Sequence, residues 1–159
     1  MAQGRKSYEG ADPFEMLKTD HEKVKQLFAD YEAAKNDPDE KQAVAEDVFS
    51  ELEIHTSIEE EIFYPAVRAA AGEKGKELVA EALEEHDVVK RLIEELQTAE
   101  PEAEQYDAKF KVLSENVEHH AQEEEEEMFP VAREVLGENV GRLGREMKQR
   151  KEDLTAEAA

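Results

Sequence analysis

The chain has 159 residues, with 42 Asp and Glu against 20 Lys and Arg, a net charge of −22 and no cysteine. That surplus repels phosphate-rich partners, which excludes nucleic acid and anionic membrane surfaces as expected partners, and the missing thiols exclude disulfides, thiolate metal sites and thiol catalysis. The length suits one domain; no apolar run approaches the roughly 20 residues of a membrane span, and the opening MAQGRKSYEGAD lacks a signal-peptide core, so a cytoplasmic protein is expected.

Residues 1–11 read as a flexible lead-in, and Asp12 before Pro13 is an N-cap followed by a first-turn proline. From Pro13 to about Ala34, Phe14, Leu17, Val24, Leu27, Phe28 and Tyr31 recur at helical spacing, with His21 on the stripe. Asp37 and Pro38 repeat the capping device ahead of a second helix, from about Asp39 to Ala71, whose stripe of Val44, Val48, Leu52, Ile58, Ile62 and Ala66 includes His55. Gly72 and Gly75 break the pattern. A third helix, from about Lys76 to Thr98, aligns Val79, Leu83, Val89, Ile93 and Leu96 with His86. A fourth, from about Glu102 to Leu136, aligns Tyr106, Phe110, Leu113, Val117 and Val131 with His120. Four amphipathic helices with short links predict an all-α, up-down-up-down four-helix bundle over 12–136. Residues 137–159 read as a short fifth helix and a tail, locally basic from Gly141 to Glu152 and suited to docking on the acidic bundle.

The bundle is written twice. Moving the chain by 65 positions places His21 on His86, His55 on His120, Glu59 on Glu124, Pro65 on Pro130 and Arg68 on Arg133. The flanks agree, with HTSIEEEIFYPAVR over HAQEEEEEMFPVAR. Each half is a helix hairpin carrying one histidine on its first helix, and on its second a histidine followed at i+4 by a glutamate. Residues four apart lie about 40° apart on a helix and one turn along, so each pair aims two ligand atoms at one point. Four imidazoles and two carboxylates on inward stripes suit two first-row metal ions. Left empty, they would place unpaired polar groups on apolar faces at a cost of about 1–3 kcal/mol each.

The remaining acids and aromatics divide by position. His119 has Glu123 at i+4 and could form a competing pair, but it aligns with Ile54 and reads as a surface histidine or an outer support. Glu123 and Glu127 stand where the first half has Ile58 and Ile62. They read either as a wetter end of the bundle or as an added ligand, a proton relay or a route for metal on one side. Glu125 and Glu126, with their counterparts Glu60 and Glu61, point away and read as solvated. Pro65 and Pro130 cannot donate to Glu61 and Glu126 and predict a kink or an end in each helix. Tyr64 lies about 180° from His55 on an ideal helix, which places it outside the site.

The doubled arrangement of an isolated histidine, then H-x3-E running into an aromatic and a proline, resembles the hemerythrin-like, HHE cation-binding domains. The resemblance covers about Pro13 to Leu136 and implies a non-haem di-iron centre in a four-helix bundle, its two Fe ions joined by an oxo, hydroxo or water bridge. It implies His21, His55, His86 and His120 as terminal ligands and Glu59 and Glu124 as bridging carboxylates. Two departures are visible. Oxygen-carrying hemerythrins have a fifth histidine four residues before the position of His86, where this chain has Ala82, and an aspartate five residues after the last histidine, where this chain has Glu124 at four. One metal is a ligand short of the carrier pattern, which leaves a position for water, a protein group or a small molecule.

Spacing disfavours other metal designs. No Glu-x-x-His precedes any histidine, no H-E-x-x-H is present, and Ser7, Ser50, Ser57 and Ser114 lie in no nucleophile turn. The expected function is therefore binding of and reaction with O2, peroxide or NO at a di-iron centre, with possible oxidoreductase turnover. An iron-handling or iron- and oxygen-sensing module is the alternative.

Overall fold

The computed structural model describes residues 12–158, all of whose regular elements are helical. Helix α1 (Pro13–Ala33) starts at Asp12, whose carboxylate accepts the backbone N–H groups of Phe14 and Glu15. Helix α2 (Pro38–Ile58) starts at Asp37, which accepts the N–H of Glu40. The two Asp-Pro pairs thus act as the sequence indicates, each satisfying backbone donors that a helix start leaves without partners. Helix α4 (Gly72–Thr98) begins four residues before the expected start, directly after α3 (Tyr64–Ala70). Gly72 takes the break, with φ of +60°. Gly75 lies inside α4 because a Cβ there would meet Ala71 Cβ at 2.6 Å and Val67 O at 2.8 Å, so the corner between the two helices is too tight for a side chain.

The prolines, expected to kink or end their helices, each stand in the first turn of a new α segment that follows a π turn. Between α2 and α3 the chain passes through a π turn, Glu59–Phe63, in which the Tyr64 N–H reaches back five residues to Glu59 O. A second π turn, Glu124–Met128, joins α5 (Glu104–Glu123) to α6 (Phe129–Leu136), and the Phe129 N–H reaches Glu124 O. The wider turn takes up one extra residue just ahead of each proline. The missing proline donor therefore falls at the start of a new α segment, where it costs little.

The helices bury two apolar cores with the histidines between them. One core holds Phe14, Leu17, Ile58, Phe63, Val67, Val79, Met128 and Phe129; the other holds Val24, Phe28, Val48, Leu52, Val89, Ile93, Phe110 and Leu113. On α1, His21 falls between Leu17 and Val24; on α2, His55 falls between Leu52 and Ile58; and on α4, His86 falls between Ala82 and Val89. The polar layer therefore has hydrocarbon above and below it.

The C-terminal segment is longer and more firmly built than a short helix with a tail. Helix α7 (Val140–Ala158) runs for 19 residues after a 3-10 turn at Gly137–Asn139. It packs on α1, α2 and the first π turn. Val140, Leu143 and Met147 enter the first core, and Arg150 and Lys151 pair with Glu61 and Asp20. The locally basic stretch thus docks on the acidic bundle. The expected flexibility of residues 1–11 lies outside the described residues.

Candidate metal centre

The six residues chosen by the repeat converge. His21 Nε2 lies 3.2 Å from Glu124 Oε1, and His55 Nε2 lies 3.1 Å from Glu59 Oε1. His86 Nε2 lies 3.1 Å from the same Glu59 oxygen and 3.1 Å from His120 Nε2. Donor atoms of His21, His55, Glu59 and Glu124 all fall within 4.8 Å of one another, and so do those of Glu59, His86 and His120. Two subsites result, one formed mainly by the α1 and α2 histidines and the other by the α4 and α5 histidines. Glu59 belongs to both groups. Glu124 spans them as well, with Oε1 toward His21 and Oε2 3.4 Å from His120 Nε2.

Each imidazole is held from behind by a carboxylate. Nδ1–H donates to Glu125 from His21 (2.8 Å), to Asp20 from His55 (2.9 Å), to Glu60 from His86 (2.8 Å) and to Glu85 from His120 (2.8 Å). An ionised carboxylate only accepts, so Nδ1 carries the proton and Nε2 is left to face the centre. Such outer partners fix ring orientation and raise ligand basicity. The expectation that Glu60 and Glu125 are solvated is thus corrected, whereas Glu61 and Glu126 are exposed as expected. Asp20 and Glu85 went unnoticed in the sequence, yet these partners obey the same repeat. Asp20 is 65 positions before Glu85, and Glu60 is 65 before Glu125.

Tyr64 is the second correction. Its hydroxyl donates to Glu124 Oε2 at 2.6 Å and lies 3.1 Å from His86 Nε2 and 3.2 Å from His120 Nε2. The π turn is the cause: one extra residue in the turn brings Tyr64 from about 180° to about 80° from the His55 direction. Its counterpart Phe129 has no hydroxyl and lies parallel to the His21 ring, with centroids 6.2 Å apart.

Residues 12–132 match the hemerythrin HHE cation binding domain family. The chain belongs to that family. The crystal structure of a hemerythrin HHE cation binding domain-containing protein from Mycobacterium kansasii superposes with a TM-score of 0.80 at 28% identity, covering 92% of this chain and 89% of that one. An uncharacterized Mycobacterium tuberculosis protein, Rv2633c, is 30% identical over 143 residues, 89% of this chain and 86% of its own length. A Nostoc protein named DNA nickase is 30% identical over 122 residues; that is 77% of this chain, which spans only about a third (34%) of that relative.

The donor set of this HHE domain fits metal ions. His21 Nε2, His55 Nε2, Glu59 Oε2 and Glu124 Oε1 are buried with no hydrogen-bond partner, a cost that coordination would remove. Two ligand atoms that each lie about 2.0–2.2 Å from one ion stand about 3–4 Å apart, as these do. Without metal, protons take its place. Burial opposes a charge on His55, but Glu59 and Asp20 raise its pKa to about 10. Burial likewise opposes a charge on His120, and Glu124, Glu59 and Glu85 still raise it well above the usual imidazole range. Burial, then the charges of Glu124 and Glu59, push the Tyr64 phenol well above its ordinary value.

The surroundings differ on each side. A small cavity next to the histidines is lined by Val24, Leu52, Val89 and Val117. A groove of about 490 Å³ between α1 and α5 reaches His21 and Glu125, and it shares Val117 and Ala121 with that cavity. His119 is a surface residue, 3.1 Å from Glu123 and 3.9 Å from Glu85. Glu127 is exposed and, with Glu123, lines a narrow crevice over Ala82 and Glu124.

Proposed function

We propose that this HHE domain is a cytoplasmic, non-haem di-iron protein that binds and reduces O2 or peroxide. The observation that carries the reading is the convergence of four Nε2 atoms and two buried carboxylates in two subsites joined by Glu59 and Glu124, with His21 Nε2, His55 Nε2, Glu59 Oε2 and Glu124 Oε1 left without hydrogen-bond partners. Imidazole and carboxylate ligands suit iron, and two irons there would supply two electrons to a small oxygen species.

The residues of the chain do the rest. Asp20, Glu60, Glu85 and Glu125 hold the four rings in one tautomer. The two apolar cores exclude water from above and below. Valines around the small cavity give a diatomic molecule a dry approach next to the histidines. Ala82 leaves the subsite of His86 and His120 without the extra ligand of oxygen carriers, and the Tyr64 hydroxyl stands next to it, placed to donate a proton or to bind metal itself. Both features favour redox chemistry over reversible carriage. The nicking activity named for the Nostoc relative is not carried over, because a net charge of −22 opposes approach to a phosphate backbone.

Anaerobic loading with Fe(II), an iron count, and exposure to O2 test the reading. About two irons per chain followed by irreversible oxidation, with consumption of added peroxide, is the expected result. An optical change that reverses fully when O2 is removed would indicate a carrier, and loading well below two would overturn the di-iron assignment. A metal-free form that melts far below the loaded one, with no oxygen reaction, would favour iron handling or sensing.

A further inference from the structure

The two halves of the repeat cover their histidine layer differently. In the first half the residues above His55 and Glu59 are Met16, Leu17, Ile58, Ile62 and Phe63, sealed by the docked helix α7. The positions 65 later are Glu81, Ala82, Glu123, Glu127 and Met128, and among the described residues no counterpart of α7 packs over them. A narrow crevice of about 20 Å³, room for one water or one bare ion, opens there, with Glu81, Glu85, Glu123 and Glu127 along it and Ala82, His120 and Glu124 also lining it. No lysine or arginine lines it among the described residues, whereas α7 brings Arg150 and Lys151 to the first-half face.

We infer that this open face holds a peripheral divalent-cation site, His119 with Glu85 and Glu123, which takes up the metal and delivers it along the crevice to the buried centre. The inference rests on the metal-binding reading above and adds the port that such a reading requires. Three observations support it. Donor atoms of His119, Glu85 and Glu123 lie within 4.8 Å of one another, and the imidazole makes the set suited to Fe(II)-class ions rather than to Mg or Ca. Glu85 belongs to both places: Oε2 faces His119 at 3.9 Å while Oε1 accepts from His120, a residue of the centre, at 2.8 Å. Glu124 lines the inner part of the crevice and is only 2% exposed, so the acidic path ends on a buried carboxylate that belongs to the centre itself. The two apolar cores close the centre from either end to a hydrated cation, and of the two openings beside it the α1–α5 groove meets His21 and Glu125, whereas the crevice ends on Glu124 itself. A focused negative field along a cleft raises cation capture by about ten-fold or more.

The test uses the full chain and Co(II) as the probe, added to metal-free protein in the absence of O2. Calorimetry counts the equivalents, and stopped-flow visible absorption follows filling of the buried centre. The wild type is expected to take two tight equivalents and one weaker. The double variant His119→Ala/Glu123→Gln should lose the weak equivalent, retain the two tight ones at equilibrium, and fill them about ten-fold more slowly. Glu118→Gln, in the groove on the other side, serves as a control for net charge and should fill at the wild-type rate. A double variant that fills as fast as wild type, or a control that slows as much, overturns the port. Failure of the di-metal reading looks different: the wild type would then take no tight equivalents, and His86→Ala would change nothing.

Discussion

Two faces of one repeat, equal in ligands and unequal in cover, show where the duplicated design has been specialised. Around the metal-facing atoms the halves agree residue by residue: histidine for histidine, glutamate for glutamate, and an outer carboxylate behind every ring. One layer out they diverge. Ile54, Ile58 and Ile62 lie under α7, while His119, Glu123 and Glu127 face solvent. An isoleucine there is worth its burial only if something covers it, so the apolar letters of the first half are explained by helix α7 and the acidic letters of the second by its absence. The inner layer is fixed by chemistry and the outer by packing.

Removing the cover is the strongest way to break this comparison. A chain ending before Val140 exposes the seats of Val140, Leu143 and Met147, and at about 1.5–3 kcal/mol per side chain the loss is about 5–9 kcal/mol. Its melting temperature should fall by more than about 10 °C. An unchanged melt would mean that α7 does not seal the first half. Next in size is a pH effect on the metal-free protein. The folded pKa of His55, about 10, exceeds the ordinary imidazole value of 6.5. The stabilisation from its pairing with Glu59 and Asp20 is therefore complete below about pH 6.5 and is lost as pH rises toward 10, a change on the order of a few kcal/mol. Thermal melts of metal-free protein from pH 6 to 10 should decline, and the metal-loaded form should decline less. A flat profile would mean that His55 does not hold a proton in the metal's place.

Smaller effects sharpen the comparison. Asp20 and Glu85 are counterparts, but Asp20 is buried and shared with Lys151, while the side chain of Glu85 is 22% exposed. Asp20→Asn should weaken metal affinity by about 10–100-fold, near the full value of an outer partner. Glu85→Gln should cost less, because water can replace part of what it provides. Equal losses in a metal titration would show that exposure does not grade these contacts. The smallest change is Tyr64→Phe, which gives the first half the residue of the second. Loss of one buried hydroxyl bonded to a carboxylate should cost about 1–3 kcal/mol in the metal-free melt. It should also alter the visible spectrum of the ferric form if the phenol binds metal; an identical spectrum would confine Tyr64 to hydrogen bonding.

Much of this was legible in the sequence because two periodicities coincide. Helical spacing places His21, His55, His86 and His120 on buried stripes, and the 65-residue offset selects Glu59 and Glu124 from ten or more neighbouring acids. Asp20, Glu60, Glu85 and Glu125 were harder to see. In a chain with 42 acidic residues, an acid one position off a stripe looks like solvated surface, and only their shared offset distinguishes them. Tyr64 was hidden for a geometric reason, since an angle counted at 100° per residue fails across a π turn. The length of α7 was obscured by its composition: a basic, weakly apolar run resembles a tail until the acidic face that it meets is known.

The π turn at Glu59–Phe63 makes α2 and α3 two registers of one continuous rod. Residues up to Glu59 are indexed to the metal, and residues from Tyr64 onward are indexed one step later, so a single helix can present His55, Glu59 and Tyr64 to one small volume that a uniform α-helix with the same number of residues between them would not bring together. What matters between Glu59 and Phe63 is therefore the phase more than the spelling. Substitutions there leave it intact, and loss of the one extra residue would close the π turn into an α turn with Tyr64 still about 80° from the His55 direction, whereas loss of a second would turn Tyr64 and everything after it about 100° away.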